Sequence, residues 1–233
     1  RKIADFLTAV DERIGQLIRK RDLLEEYKKG VMQQLFSQTI RFKDDNGNDF
    51  PEWEEKKLGE VGEITTGKTP PTSKPELWNG ETMFVTPSDI NDRAKFQVRS
   101  ERRVQGNSVR LIPTNSVMFT CIGSIGKISI STESCLTNQQ INSISVFSAI
   151  NFEFIYYVLL KRTPKIRATQ ANTTLPIINK TEFSKFTIPF PSLPEQTKIA
   201  NFLSAIDRRI EQVSAQISET QTFKRGLLQQ MFV

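Results

Sequence analysis

One stretch occurs twice in this chain. Residues 2–36 read KIADFLTAVDERIGQLIRKRDLLEEYKKGVMQQLF, and residues 198–232 read KIANFLSAIDRRIEQVSAQISETQTFKRGLLQQMF. Fifteen of the thirty-five aligned positions are identical, and no gap is needed. Duplication of this kind constrains architecture before any other signal. It is not a tandem array, because residues 37–197 stand between the copies. The expected order is helix over residues 1–37, globular insert over 38–193, helix over 194–233.

Both copies carry apolar residues at alternating spacings of four and three, the heptad pattern. In the first copy the row is Ile3, Leu7, Val10, Ile14, Leu17, Arg21, Leu24, Lys28, Val31 and Leu35. In the second it is Ile199, Leu203, Ile206, Ile210, Val213, Ile217, Thr220, Lys224, Leu227 and Met231. Each copy forms a helix of roughly 50 Å at the usual rise per residue. A single helix cannot bury such a stripe, and the economical partner is the other copy. Antiparallel pairing brings Phe36 and Lys198 to one end, where a single insert can join them; parallel pairing forces the insert to span the whole coil. The antiparallel register sets Ile3 against Met231, Leu7 against Leu227, Leu17 against Ile217 and Val31 against Leu203, with Leu24 and Ile210 in the same seam. Arg21, Lys28, Thr220 and Lys224 interrupt the apolar row, and polar seam residues fix register at a cost in stability. The competing expectation is an ordinary helical core packed on the insert.

Arg1 stands where Thr197 stands before the second copy, and Thr197 follows the segment PFPSLPEQ that leaves the insert. The expectation is a fragment, with a further globular unit once leading into Arg1.

The insert changes periodicity. A turn-rich segment, Lys43 to Asp49 followed by Pro51, reads as a surface loop; as an acidic metal loop it lacks EF-hand spacing. Short strand-like runs follow at 61–64, 82–85, 117–122, 127–130, 141–146 and 183–188. Residues 151–162 read as a helix with Phe152, Ile155, Tyr156 and Leu159 on one face. Ser192 and Glu195 resemble a capping box opening the second long helix, with Pro194 in its first turn. The expected class is α+β: one globular mixed α/β domain inserted between two long helices that form an antiparallel coiled coil.

The chain contains no histidine. That removes histidine-activated nucleophiles and the commonest metal ligand. Two cysteines, Cys121 and Cys135, suit the cytosol rather than a disulfide scaffold. Gly123 to Gly126 is a short glycine turn, not a dinucleotide fingerprint, and the carboxylates Glu52, Glu54, Glu55, Asp89 and Asp92 define no catalytic geometry. The Glu54–Lys57 cluster is only superficially nuclease-like. Catalytic and metal-ligating residues are therefore assigned to none. No apolar run reaches the roughly 18 residues of a membrane span.

A binding surface remains. Net charge is +6 and the pI about 9.3, which suits a nucleic-acid partner and equally a basic solvated surface. Cations concentrate in three parts of the insert. Lys68, Thr69 and Lys74 lie in a Gly/Pro-rich loop; Arg93, Lys95, Arg99, Arg102, Arg103 and Arg110 lie in an irregular stretch; Lys165 and Arg167, with Lys161 and Arg162, lie at or after the insert's helix, before a polar run from Gln170 to Thr174. Such residues neutralise phosphates or reach base edges, and the bland alternative is solvation. Asn138, Gln139 and Gln140 precede a strand and suit either adenine contact or turn bonding. Trp53, Trp78, Phe84 and Phe119 read as core.

Four pieces together resemble the specificity (S) subunit of type I restriction–modification enzymes: Gly67-Lys68-Thr69-Pro70 leading through Trp78-Asn79-Gly80 to Thr86-Pro87-Ser88-Asp89-Ile90; CIGSIGKISI from Cys121 followed by TNQQINSISV from Thr137; IPFPSLPEQTKIANFLSAID from Ile188; and the repeated helix. The resemblance covers nearly the whole chain. It implies a non-catalytic, cytoplasmic subunit whose recognition domain reads one half of a split DNA site. Its helices would act as spacer and as docking surface for two methyltransferase (M) subunits, joined by nuclease/translocase (R) subunits. S-adenosylmethionine would belong to the M subunits and ATP to the R subunits, with magnesium also in those partners and no cofactor in this chain. One departure stands out: only one recognition domain is present. It corresponds to the second, with the central and C-terminal helical regions, or to a half-subunit that pairs as a homodimer. A helical assembly scaffold without DNA readout is the rival expectation.

Overall fold

The computed structural model describes the backbone of residues 2–106, 109–170 and 177–231, and their side chains except those of residues 2–4, 169, 170 and 231. The side chains of Ile3 and Met231, and those of the polar run from Gln170 to Thr174, lie outside the described residues. In chain order the elements are α1 (Lys2–Phe36), β1 (Glu54–Lys57), α2 (Leu58–Val61), β2 (Gly62–Thr66), β3 (Trp78–Val85), β4 (Phe96–Gln97), β5 (Arg102–Val104), β6 (Val117–Thr120), β7 (Ile128–Ser131), β8 (Leu136–Thr137), β9 (Ile141–Val146), α3 (Phe152–Gln170), α4 (Lys180–Ser184), β10 (Thr187–Phe190) and α5 (Leu193–Met231), with a 3-10 turn at Pro75–Leu77. The chain divides into two compact units, residues 1–41 with 201–233, and residues 42–200.

The first unit is α1 paired with most of α5. The heptad row is its buried face: Val10, Leu17, Val31, Leu35, Leu203, Ile206, Val213 and Ile217 are buried. Leu7, Leu24, Ile210 and Leu227 are half-buried. Leu17 packs with Val213 and Ile217, and Ile18 and Leu24 close over them. Direction follows from the contacts. Phe6 meets Phe223 at 6.5 Å between ring centroids, Asp11 meets Lys224 at 2.6 Å, and Lys28 meets Asp207 at 2.5 Å. From Asp11 through Leu17 to Lys28 on α1, the partners fall from Lys224 through Ile217 and Val213 to Asp207 on α5, so the helices run antiparallel. The seam cations are each matched by an acid on the opposite helix, or, for Arg21, by Asp22 at 2.8 Å on its own.

The second unit holds three sheets. Five strands run in the order β2-β9-β6-β7-β4, with β4 parallel to β7 and every other neighbour antiparallel. Three run β5-β3-β8, with β8 parallel to β3. A two-stranded ribbon pairs β1 with β10. The strands β6, β7 and most of β9 are buried throughout, with apolar and small hydroxyl side chains, as interior strands should be. Met83, Val85, Ile90, Ile112, Met118, Cys135 and Ile141 form one core cluster. Helix α3 lies against β7 and β6 and buries Phe154, Ile155, Tyr157, Val158 and Leu159.

Several local expectations change. The cluster Glu54 to Lys57 is a strand, held by β10 and by Lys56 over the Phe190 ring at 4.3 Å. The stretch expected to be irregular holds β4 and β5. Helix α3 passes through Pro164 and runs eight residues beyond its expected end at Arg162. Pro164 removes one backbone donor, but the turns before it are buried, and beyond it Arg167 Nε donates to Ile125 O at 2.8 Å. Residues 183 and 184 belong to α4, whose first turn is closed by a reciprocal Asn179–Glu182 capping box; the strand begins at Thr187.

The box expected at α5 does not form. The Ser192 Oγ is buried without a partner, and the Glu195 carboxylate turns to Trp53. Glu195 and Gln196 are fully buried instead. Trp53 Nε1 donates to Glu195 Oε2 at 2.9 Å. The Gln196 amide accepts from Asn151 N at 3.1 Å and donates to Pro191 O at 2.8 Å. The Pro-Glu-Gln signature is a latch that joins the starts of α3 and α5.

The charge pairs give a test of the helix register. Lys28→Glu should place two carboxylates together and lower the unfolding midpoint, and adding Asp207→Lys should restore it. Denaturation of the four proteins should return a coupling energy of about 0.5–3 kcal/mol. Strictly additive effects would contradict the pairing.

Candidate nucleic-acid interface

The sheet topology sorts the insert's loops by end. β2 leaves its sheet at Thr66 beside the entry of β9, with Thr66 opposite Asn142. β6 leaves at Thr120 opposite Ile141, and β7 enters beside it, Ile128 opposite Phe119. β4 runs parallel to β7, so Arg93, three residues before β4, comes in from the same end. In the second sheet β3 and β8 leave together, and Asn138 N donates to Val85 O at 3.1 Å before the chain enters β9. β5 enters at that level, with Arg102 opposite Phe84. The loops after β2, β3, β6 and β8, and the entries to β4 and β5, therefore share one end.

Two of the four motif pieces meet there and are tied together. The Thr69 hydroxyl donates to Gln139 Oε1 at 2.7 Å, and the Thr66 hydroxyl to Asn142 Oδ1 at 2.6 Å. Gly67 is required by close approach: a Cβ there would lie 2.2 Å from Asn138 O and 2.3 Å from Thr137 Oγ1. Lys127, from the glycine-turn motif, donates to Pro87 O at 2.8 Å and Ile90 O at 3.3 Å, clamping the Thr86–Ile90 loop. Asp89 is an inward staple that accepts from Thr86 N, Thr86 Oγ1 and Glu101 N at 2.7–2.8 Å. Asn138 is buried and bonded within its own turn to Gln140, whereas Gln139 is exposed.

The expected cations distribute as follows. Lys68, Arg93, Arg99 and Arg102 are exposed at this end, whereas Lys74, also exposed, caps the 3-10 turn that leads into the start of β3. Arg167 is held there by Ile125 O at the glycine turn, whereas Lys165 is exposed half a turn round α3 from it and does not join the group. Arg110 and Arg103 are not part of the group. Arg110 pairs with Glu63 at 2.6 Å, near the start of β2 and so at the opposite end. Arg103 donates to Glu81 O and lies 3.9 Å from Glu133, in the turn after β7.

Lys95 departs most from its expected place. It is 6% exposed, and its ammonium donates to Glu153 Oε2 at 3.1 Å and Tyr157 Oη at 3.3 Å, with the Phe96 ring 4.8 Å away. It is an internal strut between β4 and α3. Its neighbours in sequence gave no sign of this, because the acid it needs lies on a helix far along the chain.

Nucleophilic chemistry finds no support at either cysteine. Burial pushes the thiols of Cys121 and Cys135 up to about 12, against the thiolate. Among the described residues no cluster of acids and cysteines could hold a metal ion. In the Lys43–Asp49 loop the Asp44 carboxylate accepts from Asn48 N, Asn48 Nδ2 and Asn46 N, and the Asn48 bonds chiefly hold its pKa below the usual carboxylate value. Its oxygens serve the turn itself. Phe84 and Phe119 are buried, Trp53 is bonded to Glu195, and Trp78 is half-buried with a ring face turned to Arg102.

Fold and site together define a module that presents polar and cationic side chains from fixed loops, carried in one chain with a paired helix. This chain belongs to the family described as the type I restriction modification DNA specificity domain, whose model matches residues 51–220. It is 28% identical over 185 residues to the type I restriction enzyme MjaIX specificity subunit of Methanocaldococcus jannaschii, which covers 76% of this chain and 43% of that one. It is 32% identical over 148 residues to the HindI specificity subunit of Haemophilus influenzae, covering 60% and 32%. The fold matches the S subunit from M. genitalium with a TM-score of 0.69 at 16% identity, over 97% of this chain and 59% of that one. It matches the HsdS subunit from Thermoanaerobacter tengcongensis at 0.64 and 19% identity, over 98% and 56%. The chain spans about half the length of the relatives it matches.

The strut and the surface cations should separate in a melting experiment. Lys95→Ala removes the enclosed ammonium from between Glu153 and Tyr157 and should cost on the order of 3 kcal/mol of stability. Lys68→Ala, at an exposed position, should change stability by less than about 0.5 kcal/mol. Equal, small effects would mean that Lys95 carries no internal load.

Proposed function

We propose that this chain is a non-catalytic DNA-recognition subunit of a type I restriction–modification complex. The observation that carries the reading is the grouping of exposed cations from separate stretches of sequence about one end of the globular unit: Lys68, Arg93, Arg99, Arg102 and Arg167. Their spread along the chain has no local cause, and phosphates are their natural counter-charge. Residues 38–193 act as the target-recognition domain and read one half of a bipartite site in double-stranded DNA. The helices over 1–37 and 194–233 set the half-site spacing and dock two methyltransferase subunits, and nuclease/translocase subunits complete the restricting complex. S-adenosylmethionine, ATP and magnesium belong to those partners, and the assembly works in the cytoplasm. One recognition domain on a duplicated helix is also consistent with pairing of two copies.

The test is footprinting and fluorescence anisotropy of the chain assembled with its methyltransferase partner, across a salt series. A sequence-dependent footprint is expected. Lys68→Ala and Arg93→Ala should each weaken binding to all sequences and reduce the log–log salt slope by about 1. Arg110→Ala, at the far end of the sheet, should leave both unchanged. Absence of any sequence-dependent footprint would favour the assembly scaffold instead.

A further inference from the structure

Two guanidinium groups at this end are held in place: that of Arg167, whose Nε donates to Ile125 O, and that of Arg102, which lies over an aromatic face. The Arg102 Cζ lies 5.8 Å from the Trp78 ring centroid, within the range of a cation–π contact. The platform is itself fixed. Trp78 meets Phe84 edge-on at 5.5 Å and its indole N–H donates to Pro71 O at 3.3 Å. The backbone beneath is also pinned: Ser100 Oγ donates to Arg102 O at 2.6 Å and accepts from Phe84 N at 3.2 Å. Successive strand residues point to opposite faces. Accordingly Arg103, one residue on, turns away to Glu81 O and Glu133, while Arg102 stays exposed over the indole.

Stacking occupies the face of a guanidinium and leaves its in-plane N–H edge directed outward. A planar fork of donors, held over a half-buried ring, is matched to two acceptors side by side. In the major groove that pattern is guanine O6 with N7. A phosphate contact needs no such preorganisation, and a flexible lysine serves it equally well. We infer that Arg102 is a base-reading residue that selects a guanine in the target, with Trp78 as its positioning residue, while Lys68, Arg93 and Arg99 hold the DNA backbone. This rests on the recognition role proposed above and assigns one element of its specificity.

The experiment is selection from a random-sequence duplex pool by the chain assembled with its methyltransferase partner, for wild type, Arg102→Lys, Arg102→Gln and Trp78→Leu. Melting of each variant controls for folding. Wild type should return a motif with an invariant guanine. Arg102→Lys keeps the charge and should lose that position, with affinity for the wild-type motif falling about tenfold to a hundredfold and the salt slope unchanged. Arg102→Gln should shift the same position toward adenine. Trp78→Leu should blur it without shifting it. Replacing the guanine by 7-deazaguanine should weaken wild type and leave Arg102→Lys unaffected. An Arg102→Lys motif identical to that of wild type overturns the inference, as does an equal loss on all sequences. If wild type selects no motif at all, the recognition reading itself fails.

Discussion

Two ion pairs explain why the duplicated helix lies against its own copy head to tail. Lys28 pairs with Asp207 and Lys224 with Asp11. Asp11 and Asp207 hold the same place in the two copies, and so do Lys28 and Lys224. These are therefore one interaction made twice, related by a pseudo-twofold axis. Leu17 and Val213 are also equivalent and pack on each other, so the axis passes near them. An in-register parallel pair would set Asp11 beside Asp207 and Lys28 beside Lys224, like against like. The antiparallel pair sets acid against base at both ends. Hydrophobic burial makes the helices associate, and the charges choose the direction. Because Lys28 and Asp207 keep only 15% and 12% of their side-chain surface, the wrong direction would bury unpaired charge.

A comparable rule governs the globular unit. Its cations serve two different purposes, which burial separates. Lys95 is enclosed with Glu153, Tyr157 and Phe96, and Lys127 is half-enclosed by carbonyls of the Thr86–Ile90 loop. Both lock loops or layers together. Lys68, Arg93, Arg99 and Arg102 stand on the resulting framework and face solvent. Substituting the first kind perturbs the fold, and substituting the second perturbs only what the fold presents.

Much of this was legible in the chain, for identifiable reasons. The helix pair was read from a repeat and a heptad row because both are periodic and local, and of the pairs that row set face to face Leu17 and Ile217 share one buried cluster. Lys28 and Lys224 looked like weaknesses in that row, since their acids lie across the seam and about two hundred residues away in sequence. The longer strands were visible as apolar runs. β4, β5 and β8 have only two or three residues each and no room for a period, and β1 reads Glu-Glu-Lys-Lys; tertiary pairing alone makes them strands. Lys95 sits between Arg93 and Arg99 in sequence and shares their chemistry, so only coordinates separate it from them. The grouping of the loops was equally hidden. It follows from strand order, in which β6 lies between β9 and β7, and strand order is not written in any one segment.

Recognition asks a loop to hold its shape while keeping its side-chain tips available. Here the holding is done by groups that face inward: the missing Cβ of Gly67 against Asn138 O, the Asp89 carboxylate on three donors, the ammonium of Lys127 on two carbonyls, and the Ser100 hydroxyl bridging Phe84 and Arg102. None of these is an exposed cation of the surface they support. A side chain ordered in advance loses less freedom on contact, so its hydrogen bonds contribute more of their strength to discrimination between ligands. Among the exposed cations, this ordering reaches the charged group itself at Arg167, bonded to Ile125 O, and at Arg102, over the Trp78 ring. Sequence discrimination should accordingly be concentrated where the framework reaches furthest into the side chain, and general affinity should be spread over the residues that it leaves mobile.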